Sequence, residues 1–368
     1  MKTTIASLIR TATVEAWAPC RVDMGGTLDI PTFYYPMQHL EPCTFNIALD
    51  LRTRVRLRPY ASGKVKVSSR GFRSATYTLP RAPFDHPLGL MFAVAAHFAA
   101  AGVHIDIQSD SPPRGALGGS SAAAVALVAA FARLREHGGA APLSADQVAM
   151  LAHGIESSVA QVPCGLQDQL AAAHGGVRAW YWHTAAGRLP YTRKTVLKKG
   201  LHDRLKRHLL LAYCGMPHAS KDINGRWVRQ FTAGKHRGRW VRIVGLTHAF
   251  VDALSAQDIS RAVAVMRAEL ALRRKMTPDV LDDVGRRLSQ AAVRAGCGAR
   301  FTGAGGGGCI WALGMPANID RLRKTWEGIL AKQPNAGLLP AKVAAGGVSC
   351  VLNAPSGADI ETAAKDGS

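Results

Sequence analysis

Pro112-Pro113-Arg114-Gly115-Ala116-Leu117-Gly118-Gly119-Ser120-Ser121-Ala122-Ala123 is the stretch from which the rest of the chain can be read. It lies between a β-branched stretch, Val103 to Gln108, and an alanine-rich stretch, 119–137. That order predicts a strand, a turn and a helix. Glycines let backbone N–H groups approach an anion with no Cβ in the way. The free N–H groups and the dipole of a helix N-terminus favour the same anion. Serine hydroxyls can bind phosphate or complete a Mg²⁺ shell. No Gly-Lys-Ser/Thr is present, so this is not a Walker loop. A doubled proline, three glycines and paired serines exceed what a capped helix needs. The predicted anion contacts are Pro113, Gly115, Leu117, Gly118, Gly119, Ser120, Ser121 and Ala122.

Upstream, residues 14–24, 45–58 and 64–68 alternate or are β-branched, which predicts antiparallel strands. Residues 88–102 form an apolar helical run ending on Gly102. Downstream, Ser144 before Asp146-Gln147 suits the N-cap of a helix running to about Val159. A short helix, Gln167 to Ala173, is closed by Gly175-Gly176 and followed by the strand-like VRAWYWH. The basic segment 188–200 reads as a connection. LLLAYC at 209–214 then opens a second α/β unit, with helical stretches at 221–233, 240–256, 258–275 and 278–296. The strand–turn–strand ARFTGAGGGGCIWAL at 299–313 follows, and the last dozen residues read as a frayed tail. At 368 residues the chain is expected to form two domains, 1–195 and 196–368.

The net charge of +21 would suit nucleic acid, an anionic surface or anionic small substrates. The densest basic runs, Arg193-Lys194 to Lys198-Lys199 and Lys235 to Arg242, are short and carry no nucleic-acid module. Two readings stay open: a solvated basic surface, or a field that draws in ATP and a phosphorylated substrate. No nucleic-acid or membrane partner is expected. Seven cysteines, with no pair at CxxC spacing, suggest neither a zinc site nor a full disulfide framework. Without a signal-like N-terminus or a membrane-length apolar run, a cytoplasmic location is the expectation.

The 112–123 loop resembles the second motif of the GHMP kinases (galactokinase, homoserine, mevalonate and phosphomevalonate kinases). Two further segments match in the expected order. Ala18-Pro19-Cys20-Arg21-Val22-Asp23-Met24-Gly25-Gly26-Thr27-Leu28-Asp29-Ile30-Pro31 is similar to the first motif, and Thr302-Gly303-Ala304-Gly305-Gly306-Gly307-Gly308-Cys309 to the third. Within the family, Pro163-Cys164-Gly165-Leu166-Gln167-Asp168-Gln169 followed by Ala171-Ala172-Ala173-His174-Gly175-Gly176 resembles the sugar-kinase branch. It is nearest to heptose-phosphate kinases and fucokinases. Tyr213-Cys214-Gly215 leading to Ser220 resembles a strand-end loop near the substrate.

The resemblance implies a two-domain α+β GHMP kinase fold. It would pair an N-terminal ribosomal-protein-S5-domain-2-like domain with a C-terminal ferredoxin-like GHMP domain, ATP and sugar meeting in the cleft between them. It implies Asp168 as catalytic base, with Arg21 keeping that carboxylate ionised and steadying the transferring phosphoryl group. Ser121 and Glu156 would hold Mg²⁺. Gly25, Gly26, Asp29, Gly165, Gln169, Gly305 and Gly306 would contact the sugar, Asp29 by accepting from neighbouring hydroxyls. The sequence departs from the pattern at Ala116, where relatives usually carry glycine, and at Gly119, where they usually carry serine. A methyl at Ala116 would narrow phosphate access or be tolerated with φ negative.

The resulting expectation is ATP-dependent phosphorylation of a sugar or sugar phosphate, at the anomeric hydroxyl of a heptose 7-phosphate or a fucose-like sugar. The alternatives are a galactokinase-like or other small-molecule GHMP kinase, and a non-catalytic sugar or nucleotide sensor.

Overall fold

The computed structural model describes residues 4–184, 189–216 and 223–354, so Ser220 lies outside the described residues. Among the described residues twelve strands make two sheets. The larger contains β1 (Thr13–Met24), β2 (Cys43–Pro59), β3 (Lys64–Ser69), β4 (Ala75–Thr78), β5 (Val103–Ser109), β6 (Val177–Trp182), β7 (Tyr191–Leu197) and β12 (Ser349–Asn353). Its order is β12-β1-β2-β5-β3-β4, with β6 and β7 continuing from β2. The smaller holds β8 (Leu209–Tyr213), β9 (Gly298–Phe301), β10 (Cys309–Leu313) and β11 (Gly337–Leu339), in the order β11-β8-β10-β9. The architecture is the expected α+β one.

The main helices are α1 (Gly89–His97), α2 (Gly119–His137), α3 (Ala145–Val159), α4 (Gln167–His174), α5 (Ile223–Thr232), α6 (Arg237–Ser255), α7 (Ile259–Met276), α8 (Asp283–Arg294) and α9 (Pro316–Leu330). The strand β5 feeds the Pro112–Gly118 turn and α2 follows, as the flanking sequences predict. Ser144 caps α3 through a capping box with Gln147. The α2 helix is apolar nearly all round, with twelve of its residues buried from Ser121 to Leu134, so it runs through the first core as a central spine.

Two expectations from sequence need correction. The basic segment after residue 188 contains β7, antiparallel to β6; its residues 192–195 are exposed at the sheet edge, where charge discourages pairing with another chain. The second domain also does not keep residues 342–353, which lie within its expected span. Lys342 and Ala344 bond back to Asp50 and Ala48, and β12 pairs with β1. In the other direction Leu28, Ile30, Phe33 and Met37 pack into the second core, Phe33 lying 4.4 Å from the Trp240 ring. Each domain therefore borrows from the other half of the sequence, and the turn after β1 is held by the second domain. Among the described residues no helix is long and apolar enough to cross a membrane.

Candidate active site

A cavity of about 610 Å³ opens between the two domains. The Pro112–Gly118 turn forms one wall and is clamped by hydrogen bonds from both sides. Arg21 N–H donates to Leu117 O at 2.9 Å, and Cys309 N–H donates to Gly115 O at 3.0 Å. Gly118 takes the left-handed conformation (φ +73) required of the residue that turns the chain into α2. Pro113, Gly115, Leu117, Gly118, Gly119, Ser120 and Ser121 all line the cavity, with the N-terminus of α2 facing into it. Ala122 does not; it is fully buried in the first core.

Ala116 adopts φ +58, so the alternative of a methyl tolerated at negative φ does not apply. Its carbonyl accepts from Arg21 Nη1 at 2.8 Å. Its methyl faces the glycine run, 3.1 Å from where a Cβ on Gly308 would lie and 3.8 Å from one on Gly303. The left-handed backbone turns the methyl toward the space those two glycines leave. Gly119 has a similar local reason: a Cβ there would sit 3.1 Å from Ser111 Oγ.

At the meeting point of the elements, Arg21 and Asp168 form a bidentate ion pair, Nε to Oδ1 at 2.7 Å and Nη2 to Oδ2 at 2.9 Å. The Arg21 side chain is 5% exposed and that of Asp168 23%. Burial works against the Arg21 charge, but Asp168 and then Asp23 outweigh it and raise its pKa. Gly118 lets the carboxylate approach, since a Cβ there would lie 3.2 Å from Asp168 Oδ2. On the solvent side the carboxylate keeps lone pairs available to a hydroxyl.

Glu156 lies on α3 beside Ser121. Burial pushes its carboxyl up to about 7, with the Asp168 charge adding to this, while hydrogen bonds from Ser121 and Gln169 pull the other way. Gln169 does not reach the cavity. Successive residues on α4 point about 100° apart, so Asp168 faces the cavity while Gln169 turns inward and donates to Glu156 Oε2 at 2.7 Å. The other amide atom, Gln169 Oε1, is buried without a partner. Ser121 and Glu156 offer hard oxygen donors next to the α2 N-terminus, a donor set that fits Mg²⁺. Among the described residues no group of three or more His, Cys, Asp or Glu could hold a metal ion, so remaining ligands would have to come from nucleotide and water.

Beyond Asp168, the cavity is lined by Thr27, Asp29, Ile30, Gly165, Gln167 and Asn224. Asp29 is buried and accepts from Thr27 N–H at 3.0 Å and Gln167 N–H at 3.1 Å. Burial raises its carboxyl to about 7 in spite of the Gln167 N–H, and the Asp168 charge contributes. Gly165 is a glycine because a Cβ there would overlap the Asp29 carboxylate. The Gln167 side chain is set by a chain of donors, Trp180 Nε1 to Asn46 Oδ1 (2.9 Å) and Asn46 Nδ2 to Gln167 Oε1 (3.0 Å).

Four of the glycines expected to touch substrate do not line the cavity. Gly25 (φ +70) packs on Thr247, whose side chain would be 2.6 Å from a Cβ. Gly26 leaves room for the Asp23 carboxylate. Gly305 and Gly306 close onto the turn Pro278–Val280, Gly306 N–H donating to Val280 O at 2.8 Å. Thr27, Gln167 and Asn224, and the wall made by Arg70, Phe72 and Met91, were not singled out from sequence. Asn224 carries no motif, and Phe72 and Met91 look like ordinary core residues.

Residues 88–176 match the family described as GHMP kinases N terminal domain. The mevalonate kinase of Pyrococcus horikoshii is 24% identical, over 72% of this chain and 80% of that protein. A D-glycero-D-manno-heptose 1-phosphate kinase from Bacteriodes thetaiotaomicron superposes with a TM-score of 0.69 at 18% identity, covering 92% of this chain and 98% of that one. Lactococcus lactis galactokinase complexed with galactose gives 0.70 at 16% identity, with 92% and 95% covered. The fold is thus the two-domain α+β GHMP kinase fold, and the relatives divide between sugar and mevalonate kinases.

Proposed function

We propose that this chain is a GHMP kinase that transfers the γ-phosphoryl group of ATP to a sugar hydroxyl. The observation that carries the proposal is the bidentate Arg21–Asp168 pair, standing where the α2 N-terminus meets the pocket around Asp29 and Asn224. The first motif and the Asp168 segment favour the anomeric hydroxyl of a free or phosphorylated aldose, by their resemblance to heptose-phosphate kinases and fucokinases.

In this reading the α2 N-terminus and the loop amides hold the phosphates, with Arg70 and Arg114 on the same wall. Pro113 packs beside Gly71, which places Arg70 at the loop end of the cavity. Asp168, fixed by Arg21, accepts a hydrogen bond from the attacking hydroxyl and takes its proton as the phosphoryl group departs from ADP. Phosphoryl transfer asks for positioning and charge stabilisation more than for strong base chemistry, and a carboxylate locked by two charged hydrogen bonds suits that demand. Arg21 places a buried positive charge at the same point. A Mg²⁺ ion held by Ser121 and Glu156 would neutralise phosphate charge.

A mevalonate-type acceptor is the second reading, favoured by the curated relatives. The charge of the acceptor end supports the sugar instead. Asp29 and Asp168 both face it, and among the described residues lining that end the one cation is Arg21, already committed to Asp168 and Ala116. A carboxylate acceptor would meet two acidic groups there, whereas a polyol can donate to both.

The test is coupled ADP release with a panel of aldoses, sugar phosphates and mevalonate, for wild type and Asp168→Asn. Turnover of at least one sugar by the wild type is expected, with a loss of about 10²–10⁴-fold in the variant. Equal, negligible turnover in both would sink the catalytic reading and favour a sensor. Preference for mevalonate would overturn the sugar assignment alone.

A further inference from the structure

Asp23 is buried one alternation along β1 from Arg21, in the first motif, and touches no part of the cavity. Its carboxylate is a junction. Oδ1 accepts from Gly303 N–H at 2.8 Å and lies 3.6 Å from Arg21 Nη1. Oδ2 accepts from Arg300 Nη1 at 2.8 Å. Arg300 continues into the second domain, pairing with Glu269 at 3.1 Å, and Glu269 in turn accepts from Arg273 Nε at 2.8 Å. Arg273 lies against both the Trp227 and Trp240 rings, 4.8 and 4.7 Å from their centroids, and donates to Gly26 O at 2.7 Å. The side chains of Asp23, Arg300, Glu269 and Arg273 are all 0% exposed.

We infer that Asp23 is a positioning residue for phosphoryl transfer, held in place from the second domain by Arg300. Burying this many charges is justified by geometry more than by stability, because a well-packed apolar replacement is often at least as stable. Here the geometry ties three parts of the site to one carboxylate. Arg21 sets the orientation of Asp168, and its Nη1 also grips the Ala116 carbonyl of the phosphate loop. Gly303 begins the glycine run that supports the Ala116 methyl and borders the cavity. Arg300 anchors both to the domain that carries Asn224. A shift at Asp23 therefore moves Arg21 and the phosphate loop together, without any contact to either substrate.

The chemistry of an amide makes the test clean. A carboxylate accepts on both oxygens, whereas the amide of Asp23→Asn can accept on one side only. It must lose either the Gly303 N–H or the Arg300 bond, although its shape is preserved. The inference rests on the phosphotransfer reading, so two independent readouts are needed. The first is hydrogen exchange of the Arg21 Nε–H by ¹⁵N NMR, its signal identified by its disappearance in Arg21→Lys. Exchange about tenfold faster is expected in Asp23→Asn, the scale of one lost charge-assisted bond. The second is steady-state kinetics: kcat is expected to fall by about 10²-fold while KM for ATP and acceptor stays within about twofold, the signature of misplacement rather than lost binding.

Arg300→Lys keeps the charge but cannot fork between Asp23 and Glu269, and is expected to show both effects more weakly. It carries the test if Asp23→Asn does not fold. Unchanged Arg21 exchange in the folded variant overturns the inference, whatever the enzyme phosphorylates. Unchanged kcat beside an active wild type also overturns it. Faster exchange in a protein whose wild type turns over no acceptor upholds the coupling and counts against the phosphotransfer reading alone.

Discussion

The Gly165–Asp29 contact gives the sharpest quantitative expectation. Gly165 has no left-handed φ, so alanine fits its backbone, and the three atoms nearest to a Cβ built there all belong to the Asp29 carboxylate. Gly165→Ala must therefore expel that carboxylate and do little else. Expulsion removes the acceptor for Thr27 N–H and Gln167 N–H, both in buried surroundings. An orphaned buried donor costs about 1–3 kcal/mol, so the loss of two should destabilise the protein by about 2–6 kcal/mol. The assay is a double-mutant cycle in urea with Gly165→Ala, Asp29→Ala and the pair. Asp29→Ala alone should cost a similar amount, since the same two donors lose their partner. Adding Gly165→Ala on top of it should then cost under about 0.5 kcal/mol, because nothing is left to expel. If Gly165→Ala costs as much without the carboxylate as with it, the steric argument is wrong, and with it the claim that this glycine serves Asp29.

The remaining expectations follow from single features. Ala116→Gly relieves a left-handed alanine, worth about 1–2 kcal/mol, but gives back about 0.4–1 kcal/mol through the freer unfolded chain. Urea midpoints should show no loss of stability, and nucleotide affinity measured by calorimetry should not fall; a clear loss of either would show that the methyl has a binding role. Asp29 is pushed up to about 7, so the folded state keeps a proton that the unfolded chain loses near pH 4. Stability should fall as pH rises between about 4 and 7 and flatten above, and Asp29→Asn should lack that part of the slope; equal slopes would remove the argument. Glu269→Ala leaves Arg300 and Arg273 buried without their shared carboxylate and should cost about 3–5 kcal/mol, read from the same denaturation curves.

The loops were legible in the sequence because their backbone leaves a mark in composition. Gly118, Gly303, Gly305, Gly306, Gly307 and Gly308 all take positive φ, a conformation that glycine adopts without penalty. Helices with local caps, such as the one begun by Ser144 and Gln147, were legible for the same reason. Contacts between distant parts of the chain leave no such mark. Asn224 meets Thr27 across 197 positions, and Arg300 meets Asp23 across 277. The amphipathic spacing of α5 shows that a face is buried, but not that its first turn reaches the turn after β1. The strand β7 was misread because an exposed, charged edge strand has the composition of a connection. Gln169 belongs to the segment that resembles the sugar kinases, and the motif alone does not show that its side chain turns to Glu156.

The site also changes how the surplus charge is read. The chain carries 46 basic and 25 acidic residues, yet Asp29, Glu156 and Asp168 line the cleft, with Asp23 and Glu269 buried behind it. Three of the nearest cations, Arg21, Arg273 and Arg300, are spent on matching them inside the fold. What remains for ligands is divided by position, with the α2 N-terminus, Arg70 and Arg114 at the loop end and acceptor-rich groups beyond Asp168. A long-range positive field draws any anion toward the protein, but within the cleft only the loop end rewards it. The acceptor end, bounded by Asp29 and Asp168, favours a partner that donates hydrogen bonds. In the proposed reading the two ends would sort a polyanionic donor from a hydroxyl-rich acceptor, an arrangement that suits phosphoryl transfer between them better than the binding of either ligand alone.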